Sequence, residues 1–401
     1  MSMSMMSWLS RFSLLTFNPS TMNKLFKILT LLVLVSCSEK VEKEKTNIFE
    51  DLSYTVDTVV VDAGEDFLNL AGGIFPFSLN EDKSKLWFFE MSPKRLVQVD
   101  LNQRKVLNKT EFDEEGPDGV GSNISDLEIG PKGELYLKSN SSVGIYDPDG
   151  KKLQNLKFAP SGIDSTLARN SYAIFDKSVF DFGSKKIYSH PSFINAGEYV
   201  LLILNPETQS ATSLSVPKMK IVEDYSNTQL FENEGKSFMS FYAVASYITS
   251  LPGEVILSNA AMSGVYKLNI QTEQLEFIDI KHQDYPNEMN IEINRNPSEP
   301  EQMFENQKKI LEHINYMELM WDDTRQLYFR LGLRTFMGDQ PGPPTSEYYL
   351  FAYDRNFKVL GEAKLDGVKG SLWSSFFKDG KLWSYVNVAD ELGFAVMDFK
   401  F

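Results

Sequence analysis

Lys85–Glu90 reads KLWFFE, and after a short loop comes LVQVDLNQRKVLNKTEF, Leu96–Phe112. The first piece, a charged residue followed by leucine and aromatics, has the make-up of a half-buried strand. The second splits into an apolar strand, a polar turn and a further strand. This composite returns five times. GELYLKS (Gly133–Ser139) precedes VGIYDPDGKKLQNLKF, KKIYSHP (Lys185–Pro191) precedes YVLLILNPETQSATSLSV, and GEVILSN (Gly253–Asn259) precedes VYKLNIQTEQLEFIDI. RQLYFRL (Arg325–Leu331) precedes YYLFAYDRNFKVLGEAKL, and GKLWSYV (Gly380–Val386) precedes GFAVMDFKF at the C-terminus.

Equivalent apolar positions in the six units are Leu86, Leu135, Ile187, Val255, Leu327 and Leu382, spaced by 49, 52, 68, 72 and 55 residues. Propeller blades repeat about every 40–50 residues, so these steps describe four-stranded blades with insertions. The turns carry fitting chemistry at Asp147-Pro148-Asp149-Gly150, Asn205-Pro206-Glu207-Thr208 and Asp354-Arg355-Asn356-Phe357. A two-sheet sandwich gives no reason for six copies of one strand pattern. The expected fold is therefore all-β, a six-bladed β-propeller spanning residues 54–401. The last unit offers only three strands, Ser371–Phe377, Lys381–Asn387 and Gly393–Phe401, whereas TVDTVVVD (Thr55–Asp62) has no blade of its own. An open sheet edge invites aggregation, so this N-terminal strand is expected to complete the final blade and close the ring.

Two insertions interrupt the pattern. NPSEPEQMFENQKKILEHINYM, between blades four and five, predicts one helix of about four turns. Ser298 and Glu301 form its capping box, and Met303, Phe304, Ile310, Leu311 and Ile314 its apolar stripe. It serves either as a lid over the funnel or as a plug for exposed blade surface. MGDQPGPPTS, Met337–Ser346, is too rich in Pro and Gly for regular structure and reads as a rim loop.

EEGPDGVGSNISDLEI (Glu114–Ile129), YMELMWDDTRQLYFRL (Tyr316–Leu331) and YYLFAYDRNFKVLGEAKL (Tyr348–Leu365) resemble an uncharacterised six-bladed β-propeller lipoprotein family of Bacteroidetes. The resemblance spans nearly everything after residue 53. It implies a propeller in the cell envelope, and it transfers no activity and no catalytic residue.

The front end agrees with that location. From Met22 the chain reads MNKLFKILTLLVLVSC: Lys24 and Lys27 precede a mainly apolar run, Ile28–Val35, that ends at Cys37, the single cysteine of 401 residues. That is the layout of a signal peptide, and the run is far short of the roughly 20 residues needed to span a bilayer. Leu34-Val35-Ser36-Cys37 resembles a bacterial lipobox, so Cys37 is the expected lipidation site. Residues 1–36 would be the signal, with 1–21 an over-extended start, and residues 37–53 a charged tether. The expected location is the outer membrane, on its periplasmic or its surface face. No intramolecular disulfide can form.

Lys and Arg number 40 against 55 Asp and Glu, giving a net charge of −15 with no dense basic run. This argues against a nucleic-acid partner, which needs clustered cations. In a propeller, the loops joining the second and third strands of each blade gather on one face with the blade-to-blade connections. Those loops are expected at Glu90–Lys94, Ser139–Ser142, His190–Ala196, Asn259–Ser263, Arg330–Ser346 and Asn387–Leu392. They assemble Asn140, His190, Asn195, Asn259, Arg330, Arg334 and Asn387 as candidate binding residues. Amides and guanidiniums suit sugar hydroxyls, peptide carbonyls or a carboxylate, and each of these residues can equally tie down its own turn.

GPDGVGSN (Gly116–Asn123) could form an anion nest, but without Walker spacing or a following helix it reads better as a blade-to-blade connection. His190, His282 and His313 form no HxH or HExxH pair, no GxSxG elbow occurs, and His313 is expected on the helix surface. No cofactor is indicated, although carboxylates and carbonyls at the funnel would suffice for calcium. The leading reading is a lipid-anchored binding or scaffold module for a small molecule, glycan or protein. The rival is a propeller enzyme of the metal-dependent lactonase or glycan lyase type, and the funnel carboxylates Glu90, Asp339 and Asp390 are too scattered to favour it.

Overall fold

The computed structural model describes residues 47–65, 67–157, 177–190, 199–233, 235–338 and 342–401. Cys37, with the signal segment and most of the tether, lies outside them, as does Asn195. Six four-stranded antiparallel sheets follow one another along the chain. After β1 (Ser53–Val60), blade 1 holds β2 (Phe77–Leu79), β3 (Lys85–Met91), β4 (Lys94–Asp100) and β5 (Lys105–Glu111). Blade 2 holds β6 (Ile124–Ile129), β7 (Leu135–Ser139), β8 (Val143–Tyr146) and β9 (Lys152–Asn155). Blade 3 holds β10 (Lys177–Asp181), β11 (Lys186–His190), β12 (Val200–Asn205) and β13 (Ser210–Ser215). A hairpin, β14 (Asn227–Asn233) and β15 (Lys236–Tyr242), precedes blade 4, which holds β16 (Ser246–Leu251), β17 (Glu254–Asn259), β18 (Met262–Asn269) and β19 (Leu275–Ile278). Helix α1 (Pro300–Glu312) leads to blade 5, with β20 (Asn315–Asp322), β21 (Leu327–Phe336), β22 (Thr345–Tyr353) and β23 (Val359–Leu365). β24 (Ser375–Lys378), β25 (Lys381–Val388) and β26 (Glu391–Lys400) begin blade 6.

The fourth strand of blade 6 is β1, which runs antiparallel to β26 from Ser53 opposite Lys400 to Val60 opposite Gly393. Beyond it the Val61 amide donates to Leu392 O at 2.8 Å, and the Asp62 amide donates to Arg104 O beside β5, also at 2.8 Å. The chain thus passes from the outer edge of blade 6 to the outer edge of blade 1.

Six apolar clusters sit one between each neighbouring pair of blades. Leu86, Phe88, Val97 and Val99 of blade 1 meet Trp383 and Phe394 of blade 6. Phe89 meets Leu127 between blades 1 and 2, Tyr136 meets Leu202 between 2 and 3, and Tyr188 meets Leu257 between 3 and 4. Val265 meets Phe351 between blades 4 and 5, and Phe329 meets Phe377 between 5 and 6. Burying such a side chain contributes roughly 1.5–3 kcal/mol, so every blade is held mainly through its two neighbours. That is the ring the repeat demanded. The outer strands have the opposite character: KVLNKTE of β5 and SATSLS of β13 are largely exposed.

The turn chemistry holds in detail. Asp147 Oδ1 accepts the Asp149 and Lys151 amides at 3.1 and 2.8 Å, and Gly150 takes the left-handed φ of +91° that closes the turn. Gly116–Asn123 is a blade-to-blade connection. The Gly119, Val120 and Gly121 amides donate to Gly116, Asp113 and Glu114 carbonyls, which occupies the donors an anion nest would have used.

Several expectations change. The tether is shorter than expected, because Asn47–Leu52 pack on blade 5: the Ile48 amide donates to Leu360 O at 2.8 Å and Phe49 is buried among Phe329 and Phe399. The capping box does not form. Pro300 occupies the first helical position and holds Glu299 extended as the N-cap, so the helix starts too late for Ser298, whose amide is taken by Gln302 Oε1 at 2.9 Å. The inward face of α1 is Met303, Asn306 and Ile310, while Phe304 stays 48% exposed. His313 is half-buried as the C-cap, its Nδ1 at 3.0 Å from Ile314 O, and desolvation lowers its pKa.

The β14–β15 hairpin was not anticipated. It packs Phe231 and Tyr242 against α1 and against Ala260–Ala261, the turn between β17 and β18. Asn306 Nδ2 joins the two insertions, donating to Tyr242 Oη at 3.2 Å and to Asn294 O at 2.6 Å. Both insertions are blade-to-blade connections and so lie on one face of the ring, where they cover the blade 4 turn.

Candidate functional site

The rim residues mostly serve the fold. Asn259 is fully buried, and its Oδ1 accepts the Ala261 and Met262 amides at 2.9 and 3.1 Å. Asn387 Oδ1 accepts the Asp390 amide at 2.9 Å, and His190 is buried with Nδ1 at 3.0 Å from Val200 O. Arg334 Nε donates to Glu312 O at 2.7 Å, holding the end of α1, while its Nη1 stands 3.8 Å from Glu347. Asn140 is exposed at the β7–β8 turn. Among the described candidates, only Arg330 and Asn259 come into direct contact.

Arg330 is fully buried at the blade 4–blade 5 boundary. Its Nε donates to Met317 O at 2.6 Å, Nη1 to Ser263 O at 3.0 Å and Met262 O at 3.3 Å, and Nη2 to Asn259 O at 2.8 Å. Its guanidinium lies 4.9 Å from the Tyr316 ring centroid. Burial lowers its pKa, but carbonyl acceptors and an aromatic face keep the cation solvated. Beyond Tyr316, His282 stacks on that ring, and its Nδ1 is 3.0 Å from Glu362 Oε2 and its Nε2 3.2 Å from Tyr353 Oη. Desolvation, aided by Arg330, pushes His282 down to about 3. A neutral ring with Nδ1–H donating to Glu362 and Nε2 accepting from Tyr353 satisfies all three groups. This network is structural, with every polar atom engaged inside the wall.

A second set of polar groups lies on the first strands of the blades. The first strands of adjacent blades touch one another around the ring. Between them Phe180 N donates to Glu128 Oε1 at 3.0 Å, Ile129 N to Ser78 Oγ at 3.2 Å, and Thr249 Oγ1 to Glu318 Oε1 at 2.9 Å. Asp126 of blade 2 pairs with Lys138 and takes the Ser125 hydroxyl at 3.2 Å. Lys177 of blade 3 acts electrostatically on both Asp126 and Glu318, and Glu318 of blade 5 also feels Asp126 and Arg330. Tyr247 of blade 4 lies within range of Arg330 and Glu318, and burial raises its phenol to about 12. Electrostatic links therefore run between residues of four blades.

Glu318 is solvent-exposed on the first strand of blade 5. Desolvation raises the carboxyls of Asp126, Glu128 and Glu318, reaching about 8 for Glu128, where Asp126 and Asp181 add repulsion. Perturbed titratable groups gathered on neighbouring inner strands mark a functional-site candidate. No three His, Cys, Asp or Glu side chains among the described residues are grouped to hold a metal. The surface hollows at Tyr54–Asp366 and at Tyr225–Arg295, about 330 and 320 Å³, lie at other residues.

Residues 47–364 match the family model described as a domain of unknown function, DUF4221. The chain belongs to the DUF4221 family. A DUF4221 member from Bacteroides vulgatus superposes with a TM-score of 0.58 at 14% identity, covering 87% of this chain and 98% of its own. A candidate exported protein of Bacteroides fragilis gives 0.48 at 11% identity, over 87% of this chain and 96% of its own. No curated protein matches significantly. At these identities the DUF4221 comparison supports the fold alone.

The pH dependence of this DUF4221 ring follows from Glu128. An unfolded glutamate loses its proton near pH 4.3, whereas Glu128 keeps it to about 8. Between those values the folded state binds the extra proton, so stability falls as pH rises, and the loss is complete above 8. Glu128 is only partly shielded from solvent, which holds the slope below about 1.4 kcal/mol per pH unit. Glu128→Gln should flatten this fall and raise the urea midpoint at pH 8.5 relative to wild type, with little change at pH 4.5. His282 acts in the acid range. Its pKa is depressed in the fold, so its contribution is lost as pH falls from about 6.5 towards 3.

Proposed function

We propose that this protein is a lipid-anchored envelope propeller that binds a small molecule or a partner segment in its axial channel, without turning it over. One observation carries the reading: Asp126, Lys177, Tyr247 and Glu318 stand on the first strands of four neighbouring blades, with electrostatic links running between them. A rigid ring holding such groups on its innermost strands is organised for recognition. The signal layout before Cys37 supports export and lipidation, and the outer membrane is the proposed location. No described helix is long and apolar enough to cross a membrane.

The anchor is tested by metabolic labelling with a clickable fatty acid. Wild type should be labelled and Cys37→Ser should not; equal labelling defeats the anchor. Binding is tested by thermal shift of the chain from Ser38 against sugars, peptides and divalent ions, with and without chelator. A stabilisation that Glu318→Gln abolishes supports the axial site. A chelator-sensitive stabilisation accompanied by hydrolytic turnover supports the enzyme instead.

A further inference from the structure

Between blade 4 and α1 the chain reads MNIEIN, residues 289–294, which alternates apolar and polar side chains and runs without turn or bend. Ile291 and Ile293 are half-buried and pack on the cluster of Met289, Met303 and Ile310, while Asn290 and Glu292 are exposed. Side chains thus leave the segment inward and outward. Its amides and carbonyls point sideways, those of successive residues to opposite sides, as in a strand.

Hydrogen bonds mark the two sides. On one, Lys309 Nζ donates to Glu292 O at 3.1 Å, and Asn306 of α1 takes the Asn294 amide at 2.9 Å and donates to Asn294 O at 2.6 Å. On the other, Tyr225 Oη donates to Met289 O at 2.8 Å and Asn227 Nδ2 donates to Arg295 O at 3.0 Å. Even-numbered residues therefore face α1, and odd-numbered ones face Tyr225 and the start of β14. By that alternation the amides and carbonyls of Ile291 and Ile293 face the Tyr225 side, and among the described residues nothing is hydrogen-bonded to them. The hollow of about 320 Å³ is on that side: residues 290–293 line it together with Asp224, Tyr225 and Arg295. Asp224 Oδ1 and Arg295 Nη2, 3.0 Å apart, pair within this lining and so neutralise each other.

A row of open amides and carbonyls is a template for another strand. Here donors and acceptors recur at the two-residue repeat of a β-strand, roughly 6.5–7 Å, a spacing that a second extended main chain matches and a compact ion does not. We propose that this hollow takes an extended peptide, a short strand of a partner protein that pairs through its main chain with Ile291 and Ile293. The site shares no residue with the axial set and stands independently of it.

The probe is a fluorescein-labelled hexapeptide of alternating valine and threonine, acetylated and amidated at its ends, titrated into the chain from Ser38 and read by anisotropy. Two further forms carry N-methyl groups on all the valines or on all the threonines, which blocks one edge of the peptide or the other with the side chains unchanged. The parent should bind, and one methylated form should lose at least about tenfold in affinity, through the loss of two main-chain hydrogen bonds, while the other binds as the parent does. In protein labelled with ¹⁵N-isoleucine, the Ile291 and Ile293 amide signals, assigned through Ile291→Val and Ile293→Val, should shift on addition of the parent peptide, while those of the core residues Ile187 and Ile256 stay in place. Absence of binding at about 1 mM overturns the proposal. Equal behaviour of the two methylated forms, whether both bind or neither does, overturns it as well, because recognition then does not run along one main-chain edge. Binding that leaves both isoleucine amides unmoved places the peptide elsewhere and also defeats it.

Discussion

Arg330→Met lowers the stability of the ring by at least about 3–5 kcal/mol, read as a fall in the urea midpoint of the chain from Ser38. The side chains are similar in length, so packing is largely kept and what disappears is the set of donors. Four carbonyls, of Met317, Met262, Ser263 and Asn259, then lie buried without the partner that joined them. Each unsatisfied buried acceptor costs about 1–3 kcal/mol. Loss of the cation over Tyr316 adds about 1–2 kcal/mol when the pair is desolvated. Arg330→Lys should recover only part of the loss, because one ammonium cannot reach acceptors spread over the turn 259–263 and over β20. If methionine proves neutral, Arg330 is not the staple between blades 4 and 5.

Removing everything before Asp62 should cost more still: the chain is expected to aggregate or to lose its cooperative transition. β1 supplies the register from Ser53 to Val60 against β26 and buries Val59 and Val61 between blades 6 and 1. Without it β26, which carries Phe394, Val396 and Met397, becomes a bare edge. A milder variant reports on the same contact without truncation. Val59→Asp puts a carboxylate where 5% of the side chain is exposed and should cost at least about 3 kcal/mol. A truncated chain that stays monomeric and melts as sharply as the full one would mean that three strands suffice for blade 6.

The ring was legible because its signal is redundant. Six copies of a buried strand pair, each closed by Asp, Asn or Gly turns, leave few alternatives, and the unpartnered TVDTVVVD points to the three-stranded last blade. The hairpin was not legible because NTQLFEN and KSFMSFY have no one-sided pattern. Phe231 and Tyr242 face α1, while Leu230, Met239 and Phe241 on the other face are 69, 65 and 67% exposed. Both faces are apolar, so alternation gives no sign of a strand. The helix was read correctly in place, but its inward stripe was drawn from hydrophobicity and so passed over Asn306, which is buried because it bonds to Asn294 and Tyr242.

The candidate site was the least legible part. Loop asparagines stood out, yet Asn259 and Asn387 are used up by the backbone of their own turns. Arg330 was read as one of the rim binding residues, whereas it lies buried with its donors on carbonyls, and its local sequence, LYFRLGL, does not reveal which carbonyls the neighbouring blade will bring. The axial groups were missed because they lie on the first strand of each blade, upstream of the repeat that was recognised. A signal was present in ISDLEI and YMELMW, where carboxylates break otherwise apolar strands. In an ordinary sheet such residues face bulk solvent; in a ring the innermost strands turn them toward a shared axis.

Zero-length carbodiimide cross-linking of the chain from Ser38, read by peptide mass spectrometry, tests that convergence most directly. The paired Lys138 and Asp126 serve as an internal control. Lys177 of blade 3 acts electrostatically on Glu318 of blade 5 and on Asp126 of blade 2, and its flexible side chain is expected to be joined to one of them, a link that spans more than fifty residues of sequence and forms only if the blades share an axis. If the Lys138–Asp126 link forms while Lys177 joins neither carboxylate, the axial site does not exist as described.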